Sequence, residues 1–315
     1  MKLTAKIQLA RYLFLDSLCL AGRKIPWLLK LLQNHSHYQN GAIGNDAILA
    51  LLKSNRPFLV GRLGHAESVV AGLVLAMDEL HFGRCFFDKV KYKIYENDEF
   101  WPVDDQLVMR QGRDAVVEMQ HFDVCICWDT FMERFFSRYL VPAECPRVDF
   151  YALEPFCHAT PWSSGLAGKK VLVICPYPRT VLRQYEKRKL LWPDERILPD
   201  FKLFTMKSVY GRPSAPGCAT WFDALDKMYQ DAMQIDFDVA ILACGPFAIP
   251  LGARFKRAGR SAITMCGVTQ ILFGIKGKRW DDRPYVSRFY NEHWVRPDQE
   301  ELPDFAKTVE KGCYL

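Results

Sequence analysis

The sequence has no apolar run long enough to cross a membrane. A membrane helix needs about 20 consecutive apolar residues, and the apolar stretches near the N-terminus are interrupted by Arg11, Asp16, Arg23 and Lys24. A clean apolar core followed by a small-residue cleavage site, which would indicate a signal peptide, is also missing. We therefore expect a cytoplasmic protein. Its basic N-terminal segment suggests peripheral contact with the inner face of a membrane, and the alternative is a helix packed on its own domain.

Other absences exclude further classes. The 19 glycines and 18 prolines follow no period, which excludes a collagen-like or low-complexity chain. Lys and Arg (42) exceed Asp and Glu (36) only mildly, so we expect an anionic substrate and no nucleic acid. Serine-hydrolase, zinc-protease, EF-hand and kinase motifs are absent. The eleven cysteines are irregularly spaced in mostly apolar runs, which predicts buried free thiols.

Alternating apolar runs and helical periodicity predict an α/β fold with a mainly parallel sheet and helices on both faces. The predicted strands are Phe58–Gly61, Asp123–Cys127, Val148–Leu153, Lys170–Cys175, Phe201–Met206, Asp238–Cys244 and Ser261–Met265. The predicted helices are Asp46–Lys53, Glu67–Met77, Gln106–Met119, Thr130–Leu140, Thr180–Leu191, Trp221–Met233 and Ile249–Ala258. We expect an amphipathic helical segment at 1–41, an α/β domain at 42–280 with a candidate internal boundary at 161–168, and a wrapping C-terminal tail at 281–315.

The first candidate motif is Gly61-Arg62-Leu63-Gly64-His65-Ala66-Glu67, between a predicted strand and helix. Its glycines and the following helix N-terminus suit an anion, and Arg62 matches phosphate geometry. His65 and Glu67 are acceptable ligands for Mn²⁺. The alternative is structural: Glu67 complements the helix dipole and His65 closes the turn.

Three other segments follow predicted strands, where open α/β sheets bind ligands. Gly245 lies in one turn, and Tyr177 and Arg179 lie in another, where they could meet a base and a phosphate. The third segment, Gly267 to Trp280, begins a helix with Thr269 and Gln270 and continues to the cations Lys276, Lys278 and Arg279. It is a candidate diphosphate clamp. Tight turns and a solvated basic loop are the structural alternatives.

In order and in register, these segments resemble a bacterial family of GT-D-fold glycosyltransferases, formerly a domain of unknown function. The matching residues are Arg62, Gly64 and Glu67 of an R-x-G-x-x-E motif and the run Thr269-Gln270-Ile271-Leu272-Phe273-Gly274-Ile275-Lys276-Gly277. Weaker matches are Pro161-Trp162, Gly168-Lys169-Lys170-Val171, Leu198-Pro199 and Asp238–Gly245. The resemblance implies a Rossmann-like GT-D fold and sugar transfer from nucleotide diphosphosugars. The family's Asp-x-Glu motif is His65-Ala66-Glu67 here, which weakens the metal site that the resemblance implies.

We therefore expect a metal-dependent glycosyltransferase of surface-polysaccharide assembly. It would use a nucleotide-diphosphate sugar, Mn²⁺ or Mg²⁺, and a glycan or lipid-linked acceptor. The donor would be bound by Arg62, Gly64, Tyr177, Arg179, Gly245, Thr269, Gln270, Lys276 and Arg279, and the metal by His65 and Glu67. Glu67 and Asp129 are both candidates for the base that accepts the acceptor proton. The alternatives are another envelope-glycan transferase (pyruvyl or phosphoryl) and a non-catalytic nucleotide-sugar-binding subunit.

Overall fold

The protein has a Rossmann-like α/β fold built on one parallel sheet. The structure, a computed structural model, describes residues 1–22, 38–62, 64–84, 86–88, 91–92, 100–128, 130–209 and 217–302. Its strands are β1 (Leu59–Arg62), β2 (Val124–Cys127), β3 (Arg147–Asp149), β4 (Lys170–Cys175), β5 (Lys202–Lys207), β6 (Val239–Leu242) and β7 (Ser261–Thr264). Their order is β3-β2-β1-β7-β6-β4-β5. All neighbouring strands are parallel, as the sequence predicts.

Helices cover both faces of this sheet. They are α1 (Leu3–Gly22), α2 (Gly41–Lys53), α3 (His65–Leu80), α4 (Asp105–Glu118), α5 (Phe131–Tyr139), α6 (Pro178–Glu186), α7 (Arg188–Leu191), α8 (Trp221–Met233), α9 (Ala248–Arg257), α10 (Val268–Leu272), α11 (Lys278–Asp281) and α12 (Pro284–Ser287). Short 3₁₀ turns connect several of them. Among the described residues, no helix is both long enough and apolar enough to cross a bilayer.

The core is divided by the sheet into two clusters. Helices α3, α4, α5, α8 and α9 pack on what we call the first face, and α2, α6 and α10 pack on the second face. Successive strand residues alternate between them: Leu59 belongs to the first cluster and Val60 to the second. Continuous apolar strands buried on both faces are typical of parallel sheets.

The neighbouring strands β1 and β7 are followed by helices on opposite faces. Helix α3 leaves β1 for the first face, whereas α10 leaves β7 for the second face. The chain therefore diverges at the carboxyl ends of these two strands. Such a divergence opens a crevice at the sheet edge, where α/β proteins bind ligands.

Most predicted element boundaries differ from the structure by a few residues, and three of the differences coincide with a turn, a helix cap or a break in a helix. The predicted strand Val148–Leu153 ends at Asp149, because the Asp149 carboxylate accepts a hydrogen bond from Tyr151 N (3.0 Å) and starts a 3₁₀ turn. Helix α2 begins at Gly41 because the Asn40 side chain caps it, accepting from Ala42 N at 2.7 Å. The predicted helix Thr180–Leu191 is divided at Lys187 into α6 and α7.

The termini are only partly described. Residues 23–37 of the predicted N-terminal segment and 303–315 of the predicted tail lie outside the described residues. The described part of the tail packs back on the domain: Trp294 is buried, and Gln184 donates to the His293 carbonyl (3.0 Å). The segment at 161–168 forms a 3₁₀ turn around the buried Trp162. The division into parts stays a prediction. The eight cysteines whose side chains are described are all free, as expected; five of them are buried, whereas Cys218 and Cys266 are half-buried and Cys157 is exposed.

Candidate functional site

A pocket of about 320 Å³ lies at the carboxyl edge of β3, β2, β1 and β7. Its volume falls in the range of ligand pockets, about 300–1,000 Å³. We call it the arginine pocket, because three of its eight lining residues are arginines. The lining residues are Arg62, Trp128, Phe150, Gly267, Val268, Arg279, Trp280 and Arg283. The crevice between β1 and β7 is thus a cavity with a positively charged and aromatic wall.

Strand geometry brings the first three of these residues together. Arg62 ends β1, Trp128 follows β2 directly, and Phe150 follows β3 directly. The two-residue alternation points all three towards the second face. A capping carboxylate fixes the middle one, because Glu133 of α5 accepts a hydrogen bond from Trp128 N at 2.7 Å.

Trp128 and Phe150 form a stacked pair at the pocket wall. Their ring centroids are 4.2 Å apart with an interplanar angle of 28°. The Arg62 Cζ lies 4.7 Å from the Trp128 centroid and 5.7 Å from the Phe150 centroid. A guanidinium stacked on the Trp128 face that points away from Phe150 would lie farther than 5.7 Å from the Phe150 centroid, so Arg62 lies beside the pair. Trp128 is 44 % exposed, which leaves an aromatic face available to a planar ligand group.

Gly267, after β7, gives the opposite wall its shape. A Cβ at this glycine would lie 2.8 Å from the Arg279 Nη1 and 3.3 Å from the Trp280 ring. The Arg279 guanidinium therefore packs against the backbone of Gly267, in space that a side chain at this position would occupy. Trp280 Nε1 donates to Gln270 Oε1 (3.3 Å), and the Arg283 Cζ lies 5.2 Å from the Trp280 centroid.

The charged side chains among the described lining residues of the arginine pocket are all positive. None of the eight described lining residues is acidic. The Nε of Arg62 is buried and has no hydrogen-bond partner among the described residues. A buried donor without a partner costs free energy, and the positive charge of the three arginines favours an anionic ligand. The pocket is therefore suited to a phosphate or diphosphate group.

Glu67 lies apart from this pocket. Its Oε2 accepts a hydrogen bond from Gly64 N (2.6 Å), so it acts as the capping carboxylate of α3. It lines a separate cavity of about 20 Å³ together with Asp114, Glu118 and Arg254. That volume accommodates about one water molecule. Glu67 therefore has the structural role that was the alternative to metal binding: it caps helix α3. This capping role is compatible with a chemical role.

Burial changes the pKa of two carboxyls beside the small cavity. Desolvation raises the pKa of Glu67, although the Gly64 N–H and the Arg62 charge oppose the change. Desolvation also raises the pKa of Glu118 to about 8, with Asp114 adding repulsion. Both groups therefore hold protons at a higher pH than ordinary glutamates do.

Contacts within the protein explain why positions 61 and 64 of the first motif are glycine. A Cβ at Gly61 would collide with the Phe122 ring, and a Cβ at Gly64 would collide with the Glu67 carboxylate. Packing and helix capping therefore explain both positions without a ligand. The side chain of His65 lies outside the described part of the structure, as does Asp129.

The predicted residues after β4 and β6 are not brought to the arginine pocket. Tyr177 is buried in the second-face core. The N–H groups of Arg179 and Thr180 donate to the Glu301 carboxylate at 2.7 and 2.9 Å, so the chain's own carboxylate fills the N-terminus of α6. Gly245 has a φ of +56° in the turn after β6.

Three more predicted donor residues lie near the pocket without lining it. Thr269 and Gln270 are fully buried in α10, and Gln270 acts on the pocket only by holding Trp280. The Nζ of Lys276 lies 5.3 Å from the Tyr290 ring centroid. Of the predicted donor-binding residues, Arg62 and Arg279 line the pocket.

Three lining residues, Trp128, Phe150 and Arg283, were not predicted from the sequence. Trp128 and Phe150 each directly follow a strand, and this position could have identified them from the sequence. Arg283 lies after a short helix and had no such signal. Near it, the buried Glu154 accepts from the Tyr285 hydroxyl (3.1 Å), and desolvation raises the pKa of Glu154 to about 7.

A divalent metal was also expected. Within the described residues, no group of three His, Cys, Asp or Glu side chains could hold one. Glu67 could offer only the carboxylate that already caps α3, and its predicted partner His65 is not described at the side-chain level. The described donors do not make a metal centre, and the metal stays a prediction.

Comparison with known proteins does not identify a family for this chain. No family model matches the sequence, and no curated protein matches it. A solved structure described as the selenomethionine-substituted structure of domain of unknown function 1792 is similar. It is 13 % identical, the match covers 71 % of this chain and 76 % of that chain, and the TM-score is 0.41. A likeness at this level carries no argument. Fold and pocket together define the class: a Rossmann-like α/β protein with an arginine-lined cleft at the carboxyl edge of its sheet.

Proposed function

We propose that this protein is a glycosyltransferase that takes its sugar from a nucleotide-diphosphate donor bound in the arginine pocket. The supporting observation is the combination of three arginines with an exposed aromatic ring at the carboxyl edge of a parallel sheet. Such a donor joins a planar base to a diphosphate, and the pocket offers a matching group for each. The GT-D family resemblance of the sequence favours the same activity.

The arginines would act on the leaving group. In glycosyl transfer the bond between the sugar's anomeric carbon and the diphosphate oxygen breaks, and the diphosphate keeps the electron pair. Arg62, Arg279 and Arg283 would bind the charge that develops on it, through forked N–H groups that match phosphate oxygens. The same cations would hold the donor before reaction.

The acceptor hydroxyl attacks the anomeric carbon and must lose its proton. Glu67 and Asp129 remain the two proposed bases. Glu67 lies in the first turn of the helix that follows Arg62, and burial raises its pKa, so it is a stronger base than an ordinary glutamate. The acceptor is proposed to be a glycan or lipid-linked glycan of surface-polysaccharide assembly, on the family resemblance alone.

A panel of nucleoside diphosphates tests donor binding by thermal shift. A ligand at 100 times its Kd should stabilise the fold by about 2.7 kcal/mol. Arg279→Met should weaken it about 10- to 150-fold, since a hydrogen bond to a charged group contributes about 1.5–3 kcal/mol. Arg56→Met, an exposed arginine before β1 at the opposite edge of the sheet, is the matched control. Equal loss in both variants, or no stabilising nucleotide, would contradict the proposal.

A second candidate is a nucleotide-sugar-binding subunit without transfer. It is favoured by the capping role of Glu67, which ties one carboxylate oxygen to Gly64 N. Release of free nucleoside diphosphate from a bound donor, dependent on added acceptor, distinguishes the two: a transferase releases it and a binding subunit does not.

A further inference from the structure

Helix α1 carries an apolar stripe on its outward side. Leu3, Ile7 and Phe14 are 74 %, 58 % and 62 % exposed. At 3.6 residues per turn, these three side chains fall within an arc of about 40° around the helix axis. The opposite side packs against the domain through Ala5, Leu9 and Leu13, which are buried. The helix is therefore apolar on two sides, and the described residues cover only one of them.

Exposed cations accompany this stripe. Arg11, which lies between Ile7 and Phe14 in the sequence, projects from the same side of the helix. Lys2 directly precedes the helix. Both side chains are exposed. Lys6 is already paired, since its Nζ lies 3.1 Å from Glu79 Oε2. Helices that lie in a membrane interface bury an apolar face and carry cations beside it, and Arg11 lies beside this stripe, about 40° around the axis from Ile7.

The charge of the chain is concentrated in the same region. Residues 1–45 contain six Lys and Arg but a single acidic residue, Asp16. Since the totals are 42 and 36, the other 270 residues hold 36 basic and 35 acidic side chains. Almost all of the net charge of +6 therefore lies in the N-terminal segment. A second copy of this chain would bring like charges together, whereas an anionic surface would complement them.

We propose that α1 docks the protein on an anionic lipid bilayer. Leu3, Ile7 and Phe14 enter the interface between headgroups and acyl chains, and Arg11 and Lys2 contact lipid phosphates. The helix lies in the plane of the surface, because its other side remains packed on α3 and α5. This inference does not depend on the ligand of the arginine pocket.

Sedimentation with lipid vesicles tests the docking. The full chain should bind phosphatidylcholine vesicles containing phosphatidylserine, bind phosphatidylcholine alone weakly, and be released by salt. The double variant Ile7→Gln and Phe14→Gln should bind at least about tenfold more weakly, because each buried apolar side chain contributes about 1.5–3 kcal/mol. Arg11→Gln should reduce binding about fivefold, the effect of one cation near an anionic surface.

The control removes two equally exposed apolar side chains elsewhere. Val117 (54 % exposed) and Leu190 (53 % exposed) lie on other helices, and Val117→Gln with Leu190→Gln should leave vesicle binding unchanged. Equal binding by the stripe variant and the control variant would overturn the proposal. So would concentration-dependent dimerisation that the stripe variant abolishes, because the stripe would then be a contact between copies. Thermal unfolding and nucleotide binding should be the same in both variants.

Discussion

Replacing Trp128 with alanine separates base recognition from phosphate recognition in the arginine pocket. The indole is 44 % exposed and keeps one face clear of Phe150 and Arg62. If a nucleobase stacks there, the contact contributes about 1–3 kcal/mol, so Trp128→Ala should weaken nucleoside diphosphate binding about 5- to 150-fold. Inorganic pyrophosphate has no base, and its affinity should be unchanged. Isothermal titration calorimetry with the two ligands measures both effects.

Two further variants make this test specific. Trp128→Phe keeps an aromatic face and should retain most of the affinity. Tyr151→Ala removes an exposed aromatic side chain one residue beyond Phe150 that does not line the pocket, and it should have no effect. The loss of the stack on Phe150 costs about 0.5–1.5 kcal/mol of stability, which the unfolding curve will show. The reasoning is refuted if pyrophosphate binding falls as much as nucleotide binding, since Trp128 would then act only by holding Arg62.

Two other variants test positioning and pH dependence. Gly267→Ala places a methyl group 2.8 Å from Arg279 Nη1, so it should displace the guanidinium and weaken the binding of pyrophosphate about tenfold. The free energy of unfolding should change by less than about 1 kcal/mol. Unchanged pyrophosphate affinity would exclude Arg279 as a ligand-binding group. The pKa of Glu118 is raised from 4.5 to about 8, so folding stability should fall as pH rises through that window. Glu118→Gln should remove the part of this fall that Glu118 contributes and leave stability below pH 4.5 unchanged, while Glu67 and Glu154, whose pKa values are also raised, keep their own contributions; identical pH profiles of Tm would contradict the assignment.

The strands could be predicted from the sequence, because a strand buried on both faces must be continuously apolar. Lys170–Cys175 is such a run, and β4 has the same bounds. The strand order could not be predicted. Arg62, Tyr177 and Gly245 were expected to bind one donor, since each lies at or after the end of a strand, but β4 and β6 lie on the other side of β7 from β1. The order of strands in the sheet decides which strand ends line the same pocket. The local sequence pattern does not contain this order.

The glycines of the first motif show a related limit. A glycine before a helix suits a bound phosphate, and it equally suits a tight internal contact. Here the Phe122 ring and the Glu67 carboxylate take the space that side chains at Gly61 and Gly64 would need. Phe122 is about 60 residues away in the sequence, so only the folded chain shows the contact.

Glu67 therefore needs a test that separates capping from chemistry, and Glu67→Gln provides it. Glutamine is an accepted residue at this position of a capping box, and its amide oxygen can still accept from Gly64 N, so stability should change by less than about 1 kcal/mol. If Glu67 is the base, transfer should fall about 10²- to 10⁴-fold, with nucleoside diphosphate affinity intact because Glu67 does not line the arginine pocket. Asp223→Asn, which alters the capping carboxylate of α8, is the control and should leave transfer unchanged. Near-normal transfer by the Glu67 variant would reduce this residue to a helix cap and leave Asp129 as the candidate base.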